Sequence, residues 1–584
     1  MRPFGWLSPK GFTLLDIETS EGFECEEVFG SGQFQNLLAL FVVFALWVTQ
    51  CHTLAFSLIS ADVDHWCSQP MHVNLSASDW KRIAIPVEAD GRHSRCTVYT
   101  NLSDPNDQEV VGCDAWDYAP ERANSSIVSE WNLVCGRRLL KTLATPIYSA
   151  GAMVFLVTSG YCADRFGRRP VIVGCASGVM VATLGCCFAK SYPLYLCTRF
   201  ISGGALPLYA VAIVILLESC SFARRPASLS FCMLMGLMVS KSHFTILKLM
   251  PHLNWFLLQL FMIAPAFFLP FSLFLVVESP RWLIASRRLE AAGRVMLSAA
   301  KSNDAHHDCV ALLLQRVRQR LLAEESKGAT PTVATDMTRI VRRRAIIMFG
   351  STFSVMMAYY SLLLFHAERR TSAPWAKLTS LGGYALAYCL LLKLVNRMDK
   401  TRLITGAFVI LGSCCCLQSI GTVIAPSESP LHAIGDVTLE LTLTACCVAL
   451  VFNLVYVAEL FPTPFRGTAL CFMLAGGRLG ATLGALLKAL EGIGREDLLF
   501  ALIGTVVFSS AYSFRYLPLK YGTYARLADP EESITCAVND LRRSVSTVDE
   551  MKQSLDSLSH VRKGTKKHRR HKAHKRSLAN VTSP

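Results

Sequence analysis

Apolar runs long enough to cross a bilayer recur along this chain, and no other feature constrains its fold as much. A hydrocarbon core about 30 Å thick takes roughly 20 apolar residues in helical form, because no water there can satisfy an open backbone. Such runs fall at 34–60, 139–161, 170–190, 192–217, 226–250, 252–277, 345–366, 375–397, 402–425, 433–458, 467–490 and 497–517. Of 584 residues, 52% are hydrophobic and 17% charged, below the roughly 25% charged of soluble domains. The expectation is an all-α membrane protein of twelve transmembrane helices in two six-helix halves.

Polar segments divide the chain. Residues 1–33 are expected in the cytoplasm, and they hold no short apolar core followed by a cleavage site. The run 34–60 then serves as transmembrane helix 1 and an uncleaved anchor. An external loop fills 61–138, helices 2–6 occupy 139–277, a basic helical loop 278–344 lies inside, helices 7–12 occupy 345–517, and a basic tail covers 518–584. Both termini are thus placed inside. Pro207, Pro265 and Pro270 should kink their helices. Leucines and valines from Val310 to Leu322 recur at helical spacing among arginines, which suits a helix capping the bundle or lying on the membrane.

Charge and cysteine support this topology. The formal net charge of +15 sits largely in predicted inner loops and in the tail, where it favours anionic lipid rather than nucleic acid. His568, His571 and His574 belong to that solvated basic tail, and neither a metal nor a cofactor is expected. The loop 61–138 carries sequons at Asn74, Asn101 and Asn124 and four cysteines, Cys67, Cys96, Cys113 and Cys135. Glycosylation and disulfide formation both need the lumenal, oxidising side, so two bridges are expected, in any of three pairings.

Between helices 2 and 3 stands the ten-residue stretch GYCADRFGRR, Gly160 to Arg169. Its arginines place it in the cytoplasm, Gly160 suits close helix contact, and Gly167 suits a tight turn. The pattern resembles the signature of the major facilitator superfamily. A large external loop closing on Ser126-Ile-Val-Ser-Glu-Trp131-Asn-Leu-Val-Cys135, and Glu278-Ser-Pro-Arg281-Trp282-Leu283 after the sixth run, narrow the resemblance to its organic cation and organic anion transporters. It extends from about Phe23 to Leu517. It implies alternating access by two rocking halves.

Charge inside the hydrocarbon zone costs roughly 2.5–3.5 kcal/mol per residue on insertion scales, so Arg478 needs a reason. Gly476, Gly480 and Gly484 form one stripe on its helix, and Arg478 lies about 160° from the stripe's centre. If the glycines meet a neighbouring helix, the guanidinium points to a central cavity; otherwise it snorkels or pairs internally, with Glu440 a candidate. By the resemblance, Arg478 falls where organic anion transporters carry arginine and organic cation transporters carry aspartate. Tyr359 and Tyr360 resemble the family's paired aromatics in the binding cavity. Tyr388 falls where many relatives carry a charge, while Lys393 and Lys241 offer other cations for the cavity. The resemblance also implies a cytoplasmic gate of ion pairs from Asp164, Arg165, Gly167, Arg168, Arg169, Arg199, Glu218, Arg224, Glu278, Arg281, Glu459 and Arg466, each pair partly solvated and modest.

The second-half copy of the turn, Asn396-Arg397-Met-Asp399-Lys400, lacks the first acid and the glycine, so unequal gates are expected. The reading is a plasma-membrane carrier of small organic ions, anions favoured. The alternatives are an organic cation or zwitterion (carnitine-like) carrier, and a non-transporting, receptor-like member binding a partner through its external loop. No nucleophile–base motif or phosphate loop points to an enzyme.

Overall fold

The computed structural model describes residues 32–517, except 71–74, 89–91, 101–108, 120–125, 222–223, 251–252, 306–309, 312, 316, 320–321, 323–330, 369–392, 395–398, 425–431, 462 and 490–495. Among them, eleven helices are long and apolar enough to cross a membrane. They are α1 (Gln33–Ile59), α2 (Cys135–Phe166), α3 (Arg168–Cys187), α4 (Tyr192–Ser219), α5 (Arg225–Lys248), α6 (Trp255–Leu275), α7 (Ile340–Leu362), α8 (Thr401–Gly421), α9 (Val437–Val457), α10 (Thr463–Leu487) and α11 (Asp497–Tyr516). The apolar run 375–397 lies outside the described residues apart from Lys393 and Leu394, so α8 to α11 answer to the ninth to twelfth runs.

Within the first half, α1 packs on α5 and α4, and within the second, α7 packs on α10 and α8 on α11; α2 against α10 joins the halves. Polar side chains stitch the apolar contacts. Thr49 on α1 donates to the Ala205 carbonyl on α4 at 2.8 Å, and Gln35 donates to the Ser219 carbonyl at 3.1 Å. Proline locally ends the regular bonding, since it lacks an N–H and crowds the preceding turn. Helix α4 breaks at Gly203–Gly204 just before Pro207. In α6 the stretch Ala264–Phe268, holding Pro265, tightens to a 3₁₀ helix, and Leu273–Leu275 does so again after Pro270. Val310, Leu313 and Val317 bury themselves in the same core as Met296 of the helix Leu289–Ser302, so this loop caps the bundle.

The loop between α1 and α2 carries two short antiparallel ladders, β1 (His65–Cys67) with β4 (Trp116–Tyr118) and β2 (Thr97–Tyr99) with β3 (Val110–Gly112). Bridges join Cys67 to Cys113 and Cys96 to Cys135. Trp66 and Trp80 form a small core of their own, with the Trp80 indole donating to the Cys67 carbonyl at 2.8 Å. Burial holds the Tyr118 phenol at about 12, and its hydroxyl donates to Asn132 at 3.0 Å. Trp131 seats the loop on the bundle through the Tyr192, Tyr195 and Trp255 rings, centroids 5.5, 5.3 and 5.5 Å away. Asn74, Asn101 and Asn124 lie outside the described residues.

With so small a core, the loop depends on its bridges. Joining residues 46 apart in sequence restricts the unfolded chain by about 4 kcal/mol on the chain-entropy relation. Cys67→Ser with Cys113→Ser should therefore leave most of the protein retained inside the cell and the loop open to trypsin. Surface biotinylation at the wild-type level would contradict this.

Candidate functional site

The GYCADRFGRR stretch folds as the end of α2, a break at Gly167 and the start of α3. Gly167 has φ +115°, a conformation L side chains rarely adopt, and a Cβ there would stand 2.5 Å from the Glu278 carboxylate. The break exposes the first N–H groups of α3, and Glu278 takes them: Arg168 N–H donates at 2.9 Å and Arg169 N–H at 3.2 Å. Burial raises the Glu278 carboxyl above its ordinary value, and these N–H groups with that of Ser279 oppose the rise. Ser279 caps the helix Pro280–Ala285, and Trp282 on it donates to the Asp164 carbonyl at 2.9 Å.

From this frame Arg168 reaches into a sealed cluster. It donates to Glu218 through Nε and Nη2 at 3.1 and 3.0 Å, to the Ala163 and Thr463 carbonyls at 3.1 and 2.8 Å, and lies 3.2 Å from Asp164. Arg466, on α10, donates to the same Glu218 oxygen at 3.2 Å. Asp164 in turn accepts from Gly467 N–H at 3.1 Å and from Thr468 N–H and Oγ1, both at 2.7 Å. Gly160 meets Gly467 so closely that a Cβ on Gly160 would lie 2.7 Å from Cys471. The two halves are thus bolted together at the end opposite the disulfide-bonded loop.

Several expectations change here. Glu218 and Arg168 are wholly buried and Arg466 is 2% exposed, so these pairs are not the partly solvated ones expected. Arg165 and Arg169 have exposed side chains, Arg165 accepted by Tyr161 Oη at 2.7 Å; Arg224 is exposed too. Arg281 joins through Nε, which donates to the Glu218 carbonyl at 3.1 Å. The Glu459 side chain lies outside the described residues.

Arg199 does not belong to this cluster. It is 19 residues before Glu218 on α4, about 28 Å away at helical rise. Because α4 begins at the disulfide-loop end, its second turn lies near that end; counting the alternating direction of the runs would have placed it there. The second-half copy of the turn is also different. Asp399 pairs with Arg402, three residues on, at 3.4 Å, where the Arg402 side chain is exposed and Asp399 is half-buried.

The other constellation is set 12 residues, about 18 Å, beyond Arg466 along α10. The glycine stripe does pack on α7: Gly476 against Phe349, Gly480 against the Phe353 carbonyl and Gly484 against the Met357 carbonyl. Arg478 therefore turns to the interior, 7% exposed. Its Nη1 lies 3.4 Å from the Tyr360 hydroxyl, its guanidinium stands 5.9 Å from the centre of the Tyr148 ring on α2, and Tyr209 on α4 completes a trio of phenols. Tyr359 and Tyr360 meet edge to face at 5.6 Å. No carboxylate among the described residues pairs with Arg478. Glu440 on α9 is an electrostatic neighbour of Lys241 on α5 instead. Lys393 is exposed, and Tyr388 lies outside the described residues. Tyr148 and Tyr209 were not singled out from sequence, although a tyrosine deep within an apolar run asks for a partner for its hydroxyl.

Helices packed as two groups, bolted at one end and holding beyond the bolt an interior cation with no carboxylate partner among the described residues, are the arrangement of a membrane transporter of the major facilitator type. The backbone agrees with that of the proton:xylose symporter XylE bound to 6-bromo-6-deoxy-D-glucose, at TM-score 0.56 and 15% identity over 83% of this chain and 96% of that one. A double-tryptophan mutant of XylE gives 0.57 at 14% identity, over 84% and 96%. The model of the sugar (and other) transporter family matches residues 75–512, and the chain belongs to that family. It is a multi-pass transporter and not an enzyme. Similar relatives include solute carrier family 22 member 6 of Bos taurus (27% identical over 516 residues, 84% of this chain and 91% of that one). The rabbit, Oryctolagus cuniculus, protein of the same name is 26% identical over 484 residues, 79% and 85% of the two chains. Human organic anion transporter 3 is 26% identical over 478 residues, 79% and 84%.

Proposed function

We propose that the protein carries small organic anions across the plasma membrane by alternating access, with the GYCADRFGRR end and both termini in the cytoplasm. The observation that carries the cargo is Arg478: an interior guanidinium, framed by Tyr148, Tyr209 and Tyr360, with no carboxylate partner among the described residues. A permanent positive charge in a low-dielectric chamber attracts an anion and repels a cation. The phenol faces suit a flat organic body, and the Tyr360 hydroxyl suits a carboxylate oxygen. The names of the relatives point the same way. Lys241, beside Glu440, adds little net charge to the chamber.

In the conformation described, the cytoplasmic end is shut by Glu218, Arg168, Arg466 and Asp164. Substrate arriving at Arg478 would be released inward only once those bonds part and the halves rock. The three sequons are read as glycosylated, and the tail 518–584 as lying on anionic lipid. The direct test is uptake of labelled aromatic carboxylates and quaternary ammonium ions by cells displaying the chain. Saturable anion uptake without cation uptake is expected. Cation uptake alone would overturn the assignment.

A further inference from the structure

We propose that Arg199 is a second fixed positive charge of the anion site, a specificity-determining residue that acts from behind Tyr148 without touching the substrate. The inference rests on the anion reading above. Arg199 is 2% exposed, on the second turn of α4. Its Nη1 donates to the His52 carbonyl on α1 at 2.7 Å, while its Nε is buried with no hydrogen-bond partner. The guanidinium lies 4.6 Å from the centre of the Tyr148 ring, the same ring that Arg478 approaches at 5.9 Å. Tyr148 is fixed between them, its hydroxyl paired with Thr53 at 3.0 Å. The two guanidinium carbons are therefore at most about 10.5 Å apart, one from each half of the protein.

No carboxylate among the described residues pairs with either arginine. A buried guanidinium with one neutral acceptor and an orphaned N–H is a poor stabilising device, because burial of charge without a counterion is costly. A carbonyl and an aromatic face supply only partial compensation. The arrangement makes sense if the counterion is the cargo: both charges then act on whatever enters beside Arg478. Because Arg199 is walled off, its effect is purely through space. Coulomb energy sums over the charges of the ligand, so its loss should be felt more strongly, in free energy, by a dianion than by a monoanion. A residue needed only for packing would not discriminate in this way.

The test compares uptake of labelled benzoate and terephthalate, flat anions of one and two charges, by cells displaying the full chain. At an effective dielectric constant near 20 and about 10 Å for the nearer carboxylate, Arg199→Gln should raise KM roughly tenfold for benzoate and several-fold more than that for terephthalate, whose second carboxylate lies farther off. Arg199→Lys should keep most of the terephthalate preference. If Arg199→Gln is retained inside the cell, the same two KM values are read in membrane vesicles prepared from those cells, where delivery to the surface does not matter. Equal fold-changes for both anions, or unchanged KM values, would overturn the role while leaving the anion carrier standing. Wild-type cells that take up neither anion would overturn both.

Discussion

Arg478→Ala is expected to lower anion uptake, per molecule at the surface, by at least about a hundredfold. A carboxylate 4 Å from a guanidinium gains on the order of 4 kcal/mol at an effective dielectric constant of 20, and part of that is lost to desolvation. Each 1.4 kcal/mol is a factor of ten, so two to three powers of ten should go. Arg478→Lys keeps the charge and loses the planar fork, so a smaller loss of about tenfold should follow. Folding should not suffer. Arg478 leaves no paired carboxylate behind among the described residues, and only the Tyr360 hydroxyl loses a partner, at the long distance of 3.4 Å. Surface amount and thermal midpoint should therefore hold or rise in the alanine variant. Full uptake by Arg478→Ala would remove the reason for assigning anions, and a collapse in surface amount would show that Arg478 is structural.

Glu218→Gln should act on the opposite link, the gate. Glu218 is wholly buried and accepts from Arg168 twice and Arg466 once, so one carboxylate serves guanidinium groups of both halves. Breaking a buried pair from one side typically costs 3–5 kcal/mol. Arg168 retains Asp164 and two carbonyls, which reduces the expected cost to about 2 kcal/mol, or roughly thirtyfold. That cost falls on the shut conformation, so the population should move toward one open to the cytoplasm. Hydrogen exchange over residues 463–471 should accelerate, and net uptake should fall although substrate still binds. Exchange and uptake at wild-type levels would show that the acid only fixes local structure.

Much of this arrangement was legible in the residues because membrane physics leaves few choices. Apolar length gave the spans, the four-residue recurrence of Gly476, Gly480 and Gly484 gave the face that meets α7, and that face gave the direction of Arg478. Spacing along one chain cannot report which distant groups meet. Tyr360, the α7 partner of Arg478, was legible through the paired-aromatic resemblance, but the partners on α2 and α4, and the cation opposite Glu440 on α5, have no signature in sequence. The disulfide pairing was open for the same reason, since it depends on the β1–β4 register. Arg199 was misplaced by treating charge near a helix end as a mark of the cytoplasm, when its helix runs inward from the outer end. Burial of the Glu218 cluster was missed because charged residues beside a turn look solvated until the cap over 278–285 is folded onto them.

Asp164 accepts two main-chain N–H groups at the start of α10, with one hydroxyl beside them. A main-chain N–H is common to every residue but proline, so the hydrogen bonds themselves ask little of the side chains at 467 and 468, although a Cβ at 467 would stand 2.7 Å from the Asp164 carboxylate and position 467 is held to glycine by space. The second-half turn, by contrast, carries Asn396 and Asp399 where the first-half stretch has its acid and its glycine. Inward closure can thus persist on the strength of one partner's side chains and the other's backbone, which leaves the two ends of the transport cycle free to diverge in evolution.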